Sequence, residues 1–166
     1  MIGKKAKLPL YKVFGGYRDK VPCYITCAYY RDNKSNSELE DEILKLVDQG
    51  HKAFKIKVGA LSLVEDMKRV EIVRDAIGYD KELMIDVNRG WNLKTAIEGC
   101  KLLKQFKPTW IEEPVRWADD RRELKILSRK TNIPISGGES ENTIFGCRSL
   151  IEENAIQILQ FDCTMF

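Results

Sequence analysis

Three acidic residues recur at one point of a repeating unit: Asp86 in IDVNRGW, Glu112 in WIEEPV and Glu139 in ISGGESEN. They stand 26 and 27 residues apart, close to the ~30 residues of one strand–helix unit in an eight-fold barrel. Each closes a short apolar stretch with strand character. Carboxylates at equal phase in successive units can converge at the mouth of a barrel. An oxygen-only cluster of this kind suits a hard divalent cation such as Mg²⁺.

The same rhythm runs through most of the chain. Six strands are predicted, at 22–30, 53–58, 83–87, 110–112, 133–136 and 156–161. Helices are predicted between them. Ser37 with Glu40 forms a capping box opening the first, with Leu39, Ile43, Leu46 and Val47 at helical spacing and Gly50 as its end. The second runs from Leu63 to Ile77 with Val64, Met67, Val70, Ile72 and Val73 as apolar positions. Asn92 caps a third, from Leu93 to Gln105. Two more cover Arg121–Arg129 and Thr143–Glu153. Short apolar strands alternating with helices predict an α/β fold, a parallel sheet with helices outside it. An open doubly wound sheet is the alternative. Polar residues at the ends of four successive strands favour a barrel, which gathers its site from many strands at one face. Residues 1–20 read as a basic, helix-like lead-in closed by a Gly-Gly turn, and 21–166 as one barrel-like domain.

Composition narrows the function classes. The length, 166 residues, suffices for a sizeable core. A net charge of +3 with scattered basic residues leaves no nucleic-acid footprint. No apolar run reaches membrane-spanning length. Cys23, Cys27, Cys100, Cys147 and Cys163 form no zinc spacing, and are expected as free thiols in a reducing cytoplasm.

One unit before Asp86 stand Lys55 and Lys57, two apart on a strand and so on one face. Flanked by Phe54, Ile56 and Val58, they are expected to point into the barrel. Each should lower the other's pKa, and partial burial should add to that. A lysine neutral near pH 7 is a competent general base. Asp86 and Asn88 likewise share a face, one suited to a metal and the other to substrate. Only one of Glu112 and Glu113 can face the axis, and Trp110 shares the parity of Glu112. Gly137 and Gly138 leave room beside Glu139. Asp162, at the end of the sixth strand, either continues the series or is an ordinary strand-end aspartate. His51 precedes the second strand, at the end of the barrel opposite the site, and reads as structural.

Taken together, KIKVG, IDVNRGW, WIEEPV, GGES and QFDC resemble, in order and spacing, the mandelate racemase and muconate lactonizing branch of the enolase superfamily. Residues 3–16 resemble the segment that leads from that family's capping domain into its barrel. The resemblance implies a (β/α)₇β barrel of the TIM type, here only partial, with Mg²⁺ held by Asp86, Glu112 and Glu139. It implies Lys57 as general base and Lys55 as the lysine supporting that base and the substrate carboxylate. Asn88 matches a polar substrate contact, and Asp162 the aspartate of a His-Asp pair on the opposite face.

The implied reaction is abstraction of the proton α to the carboxylate of a hydroxy acid. The charge that builds up as an enediolate is stabilised by a dication and an ammonium group. Polar strand ends favour dehydration of a sugar acid, with racemisation or epimerisation close behind. The histidine of the His-Asp pair belongs to a seventh strand, beyond Phe166. The chain is therefore expected to be the central part of a longer enzyme, with open edges at the first and sixth strands. It would then be poorly stable alone, assembled as a homo-oligomer, or a natural remnant or incomplete gene product. An inactive barrel that binds Mg²⁺ is the non-enzymatic alternative. A Schiff-base lyase using Lys55 or Lys57 ranks last, because it leaves the three carboxylates without a purpose.

Overall fold

A computed structural model describes residues 1–117 and 120–162. The lead-in forms two short helices, α1 (Ile2–Ala6) and α2 (Leu10–Val13), which pack on each other, followed by a turn at Gly15. Six strands follow: β1 (Ile25–Cys27), β2 (Ala53–Lys57), β3 (Glu82–Asp86), β4 (Trp110–Glu112), β5 (Ile135–Gly137) and β6 (Ile158–Leu159). Between them lie α3 (Asn36–Asp48), α4 (Leu63–Ile77), α5 (Leu93–Leu103), α6 (Asp120–Ser128) and α7 (Ile144–Glu152). Every strand pairs in parallel with its predecessor, in the order β1-β2-β3-β4-β5-β6. This is the predicted α/β architecture of parallel strands wrapped by helices.

The fourth strand falls at the predicted residues and the third is shifted by one, while the other four are shorter than predicted. β1 stops at Cys27 because Ala28 takes a left-handed backbone, with φ 54°, which no strand continues through. The first capping box also moves. Ser35, not Ser37, caps α3: its hydroxyl accepts from the Glu38 amide at 3.2 Å while Glu38 accepts from the Ser35 amide at 2.8 Å. A second box, Ser62 with Glu65, opens α4. Asn92 caps α5 as expected, accepting from the Thr95 amide at 2.9 Å.

Register sorts the side chains into two faces. Phe54, Ile56, Leu83, Ile85, Ile111 and Ile135 share one parity and are essentially without solvent contact. They pack beneath the helices with Leu39 and Ile43 of α3, Val70, Val73 and Ile77 of α4, Leu103 of α5 and Leu127 of α6. At ~1.5–3 kcal/mol for each large apolar side chain removed from water, this layer is the main stabilising term. Val64, read as apolar-face, is instead exposed on α4.

The other face carries polar groups. Lys57, Asp86, Glu112 and Ser136 lie side by side in register across β2 to β5. One step back lie Lys55, Met84 and Trp110. The sheet curls far enough for its two edges to meet across this face. The Gln160 amide, just past β6, donates to the Tyr24 hydroxyl, just before β1, at 3.1 Å. Gln160 also accepts from the Ser136 hydroxyl.

At the opposite end of the strands, Arg74 of α4 is buried as a tie between units. Its guanidinium donates to the carbonyls of Phe106 (2.9 Å), Gly78 (2.8 Å), Lys81 (2.9 Å) and Lys107 (3.3 Å). Those carbonyls belong to the loops that lead into β3 and β4. Among the described residues Cys23, Cys27, Cys100 and Cys147 are free thiols, while Cys163 lies outside them. No helix among the described residues is long and apolar enough to cross a membrane.

Candidate functional site

Four of the predicted site residues meet at the C-terminal ends of β2, β3 and β4. Lys55 and Lys57 are two apart on β2 and point the same way. In-register pairing then sets Asp86 beside Lys57 and Glu112 beside Asp86. The Lys55 ammonium lies 2.7 Å from Glu112 Oε1 and 3.4 Å from Asp86 Oδ2, and the Lys57 ammonium 2.7 Å from Asp86 Oδ2. Both carboxylates are buried, at 2% and 3% exposure, so each needs a cation or several donors to stay ionised. Further donors are present: the Asn88 amide gives to Asp86 Oδ1 at 2.9 Å and the Trp110 indole to Glu112 Oε2 at 3.3 Å. The Tyr24 ring lies 5.2 Å from the Lys55 ammonium, adding a cation–π contact.

Lys55 behaves differently from the expectation that a neighbouring like charge and burial would lower its pKa. Burial disfavours the Lys55 ammonium, but the hydrogen bond to Glu112 and the charges of Glu112 and Asp86 outweigh it, so its pKa is raised above the ordinary lysine range. The physical reason is position: the Lys55 ammonium faces carboxylates from the next two strands. Burial pushes the Glu112 carboxyl up, against the pull of Lys55. With Lys55 so strongly held in its charged form, the proton of the pair stays on the lysine.

The remaining predicted residues stand further out. Asn88 reaches Asp86 through its backbone, and its side chain is exposed. Glu139 sits in an exposed turn just past β5. Asp162 lines an open cavity of about 700 Å³ beside α7, with Leu159 and Phe161. Among the described residues no three His, Cys, Asp or Glu side chains come close enough to hold a metal ion. Asp86 and Glu112 are therefore joined, and Glu139 stands apart.

The donor chemistry nonetheless fits a hard divalent cation. Two buried carboxylates lie in register on adjacent strands, and positive charge already neutralises them. The next strand end carries a third, solvent-accessible carboxylate.

Sequence reasoning left several neighbours unassigned. Glu113, turned away from the polar row, is buried and has its pKa pushed up to about 7. Burial is the main cause; Arg89 opposes it, and Glu139, Asp86 and Glu112 add to it. Arg89 ion-pairs with Glu113, stacks 4.0 Å from the Trp117 ring and donates to the Ser140 hydroxyl at 2.6 Å. Strand parity, extended by one unit, would have found Ser136. No periodic signal marks Arg89. Asn88, Arg89 and Glu113 all take left-handed backbone, with φ 50°, 64° and 42°, a strain of about 1–3 kcal/mol at each such residue.

Comparison with known proteins follows the same outline. The sequence model described as "Enolase C-terminal domain-like" matches residues 38–166. The arabinonate dehydratase of Saccharolobus solfataricus is 34% identical over 163 residues, 98% of this chain and 43% of that protein. A mandelate racemase/muconate lactonizing enzyme from a marine actinobacterium, solved in complex with magnesium, superposes with a TM-score of 0.86 at 34% identity. The match covers 97% of this chain and 44% of that one. L-Talarate dehydratase from Polaromonas sp. JS666, solved with Mg and L-glucarate, gives a TM-score of 0.85 at 31% identity, with the same 97% and 44% coverage. A hydrophobic dipeptide epimerase from Enterococcus faecalis is also similar, at 29% identity. The chain thus spans less than half the length of the relatives it matches.

Proposed function

This chain belongs to the enolase C-terminal domain-like family, and from that premise we propose that its strand ends build a site for Mg²⁺-dependent removal of the proton α to a carboxylate. The substrate proposed is a small hydroxy-carboxylate, with dehydration of a sugar acid as the reaction. The observation that carries this reading is the in-register row of Lys57, Asp86 and Glu112, with Lys55 paired to both carboxylates.

Asp86, Glu112 and Glu139 would hold the metal. When bound, Mg²⁺ supplies a Lewis acid that polarises the substrate carboxylate. Lys55 is suited to a cationic part: its carboxylate neighbours keep it protonated, so it attracts the substrate carboxylate and the charge that builds there. Lys57 is the more open of the two, with 21% of its side chain exposed against 11% for Lys55. That exposure leaves its side-chain nitrogen accessible to a substrate α-carbon, and Lys57, as the neutral amine, takes the proton while the electron pair left behind passes to the carboxylate as an enediolate. Asn88 contacts the substrate beside Asp86, and Asp162 serves the opposite face. The Glu112–Trp110 hydrogen bond keeps the carboxylate from rotating.

Arabinonate and talarate dehydratases among the relatives support the sugar-acid reading. The epimerase relative supports a second one, in which the proton returns to the other face. Titration calorimetry with Mg²⁺ tests the foundation: wild-type binding is expected, and Glu112→Gln should abolish it. Incubating sugar acids in deuterated water then separates the reactions. Dehydration yields a 2-keto acid, whereas epimerisation yields substrate labelled at the α-carbon. Wild-type protein that binds no Mg²⁺ would remove the reading altogether.

A further inference from the structure

Glu139 is the weak point of the proposed metal site: it lies in an exposed turn, while Asp86 and Glu112 are buried and fixed. The residue after it, Ser140, is held from a distance of 51 positions by the Arg89 guanidinium, at 2.6 Å. The same guanidinium pairs with Glu113, next to Glu112, and lies 4.0 Å from the Trp117 ring. Arg89 itself is three residues past Asp86, and its amide donates to the Glu113 carbonyl at 2.7 Å. One side chain from the loop after β3 therefore touches the loops after β4 and β5, while the three carboxylates stand at the ends of β3 and β4 and in the loop after β5. Arg121 also reaches the third loop, through Glu141 at 2.5 Å, but from α6.

We propose that Arg89 is a positioning residue that tethers the Glu139-bearing turn to the ends of β3 and β4, and so limits how far Glu139 must move to join Asp86 and Glu112 at the metal. The proposal rests on the metal reading given above. A planar guanidinium suits the task, because its several N–H groups fan out in one plane. It can meet a carboxylate and a hydroxyl at once while an aromatic face covers it. Glu113 is the fixed end of the tether: it is buried, and its amide donates to the Ser136 carbonyl at 3.0 Å. The Ser140 turn is the movable end.

Charge and position predict opposite results, which makes the idea testable. Removing a guanidinium beside a cation site strengthens cation binding by Coulomb's law. Loosening the loop that bears a ligand weakens it, and loss of such a supporting contact typically lowers metal affinity about 10- to 100-fold. The experiment measures Mg²⁺ affinity by calorimetry for the full chain and for Arg89→Met, Glu139→Gln and the double variant.

The expected result is weaker binding in Arg89→Met, with the Glu139→Gln effect largely lost in its background, because both act through one ligand. Amide exchange at Glu141, whose N–H is bonded to the Gly138 carbonyl at 3.0 Å, should quicken in Arg89→Met while β2 and β3 stay protected. Unchanged or tighter binding in Arg89→Met, or additive effects, would overturn the proposal and leave the metal reading standing. Absence of Mg²⁺ binding in the wild-type chain would overturn the metal reading, and with it the task assigned to Arg89.

Discussion

Replacing Arg74 with methionine should cost the fold about 3–4 kcal/mol. The residue is 2% exposed and donates to four carbonyls from the two segments that lead into β3 and β4. Methionine has a similar reach and no donor. The Phe106 carbonyl sits in the buried part of the contact, and leaving a buried acceptor bare costs about 1–3 kcal/mol. The carbonyls of Gly78, Lys81 and Lys107 are partly buried and regain water, so each loses only about 0.5–1.5 kcal/mol. Against this stands relief of burying a charge, a cost visible in the guanidinium's pKa, which burial lowers. The net figure is a large share of the ~5–15 kcal/mol stability of an ordinary domain. Urea unfolding followed by circular dichroism measures it: with a slope of ~2 kcal/mol/M, the midpoint falls by roughly 1.5–2 M. Arg74→Lys satisfies fewer carbonyls at once and should fall between. A change below about 1 kcal/mol in Arg74→Met would show that water replaces the guanidinium freely, and the argument from four shared acceptors would fail.

Other outcomes follow from the same structure. Lys55→Met, in metal-free buffer, leaves Glu112 buried without its 2.7 Å partner and should destabilise the protein by about 3 kcal/mol at pH 7. Because burial raises the folded-state pKa of Glu112, that penalty should shrink as pH falls and the carboxyl takes a proton; a pH-independent penalty would contradict it. At Glu42 burial acts upward, but the hydrogen bonds from Lys34 and the Ala28 amide outweigh it and lower the pKa from 4.5. Its stabilisation is then present above pH ~4.5 and lost as pH falls through the lower folded value, and acid titration of unfolding should be flatter in Glu42→Gln. Burial pushes the Cys100 thiol up to about 11 and Cys27 to about 12, whereas Cys23 is exposed. Peptide mapping after iodoacetamide at pH 8 should find Cys23 alkylated well before either, and equal rates would refute the burial assigned to Cys27.

The residues that were legible in the sequence share a simple geometry. Lys55 and Lys57 fall on one face because strand side chains alternate. Asp86 and Glu112 align with them because each unit repeats the same length and pairs in register. The shift of the capping box from Ser37 to Ser35 has an equally local cause: the stretch SNSELE offers a serine followed three residues later by a glutamate twice over. Which one wins depends on how α3 must turn to bury Leu39 and Ile43, a demand set by the sheet and not by the stretch itself. Arg74 and Arg89 were illegible for another reason. Their partners are backbone carbonyls or side chains from other units, and one lysine or arginine in a chain with 28 looks like any other. The sign of the Lys55 shift was hidden likewise: the second lysine is visible two residues away, but the carboxylates facing it come from strands 31 and 57 residues on.

The contact between Tyr24 and Gln160 joins positions 136 residues apart, and this bears on how the fold is reached. At ~5–20 residues per second on the ribosome, Tyr24 emerges on the order of 7–27 s before its partner exists. Each strand pairs with the one made just before it, so the sheet can grow one unit at a time as the chain emerges, leaving a single fresh edge at each stage. Curling that brings β6 across to β1 can only follow the synthesis of β6, and long-range closure of this kind is slow. Trp110, whose ring lies 5.7 Å from that of Tyr24, would report the late step as a fluorescence phase separate from the growth of helical signal.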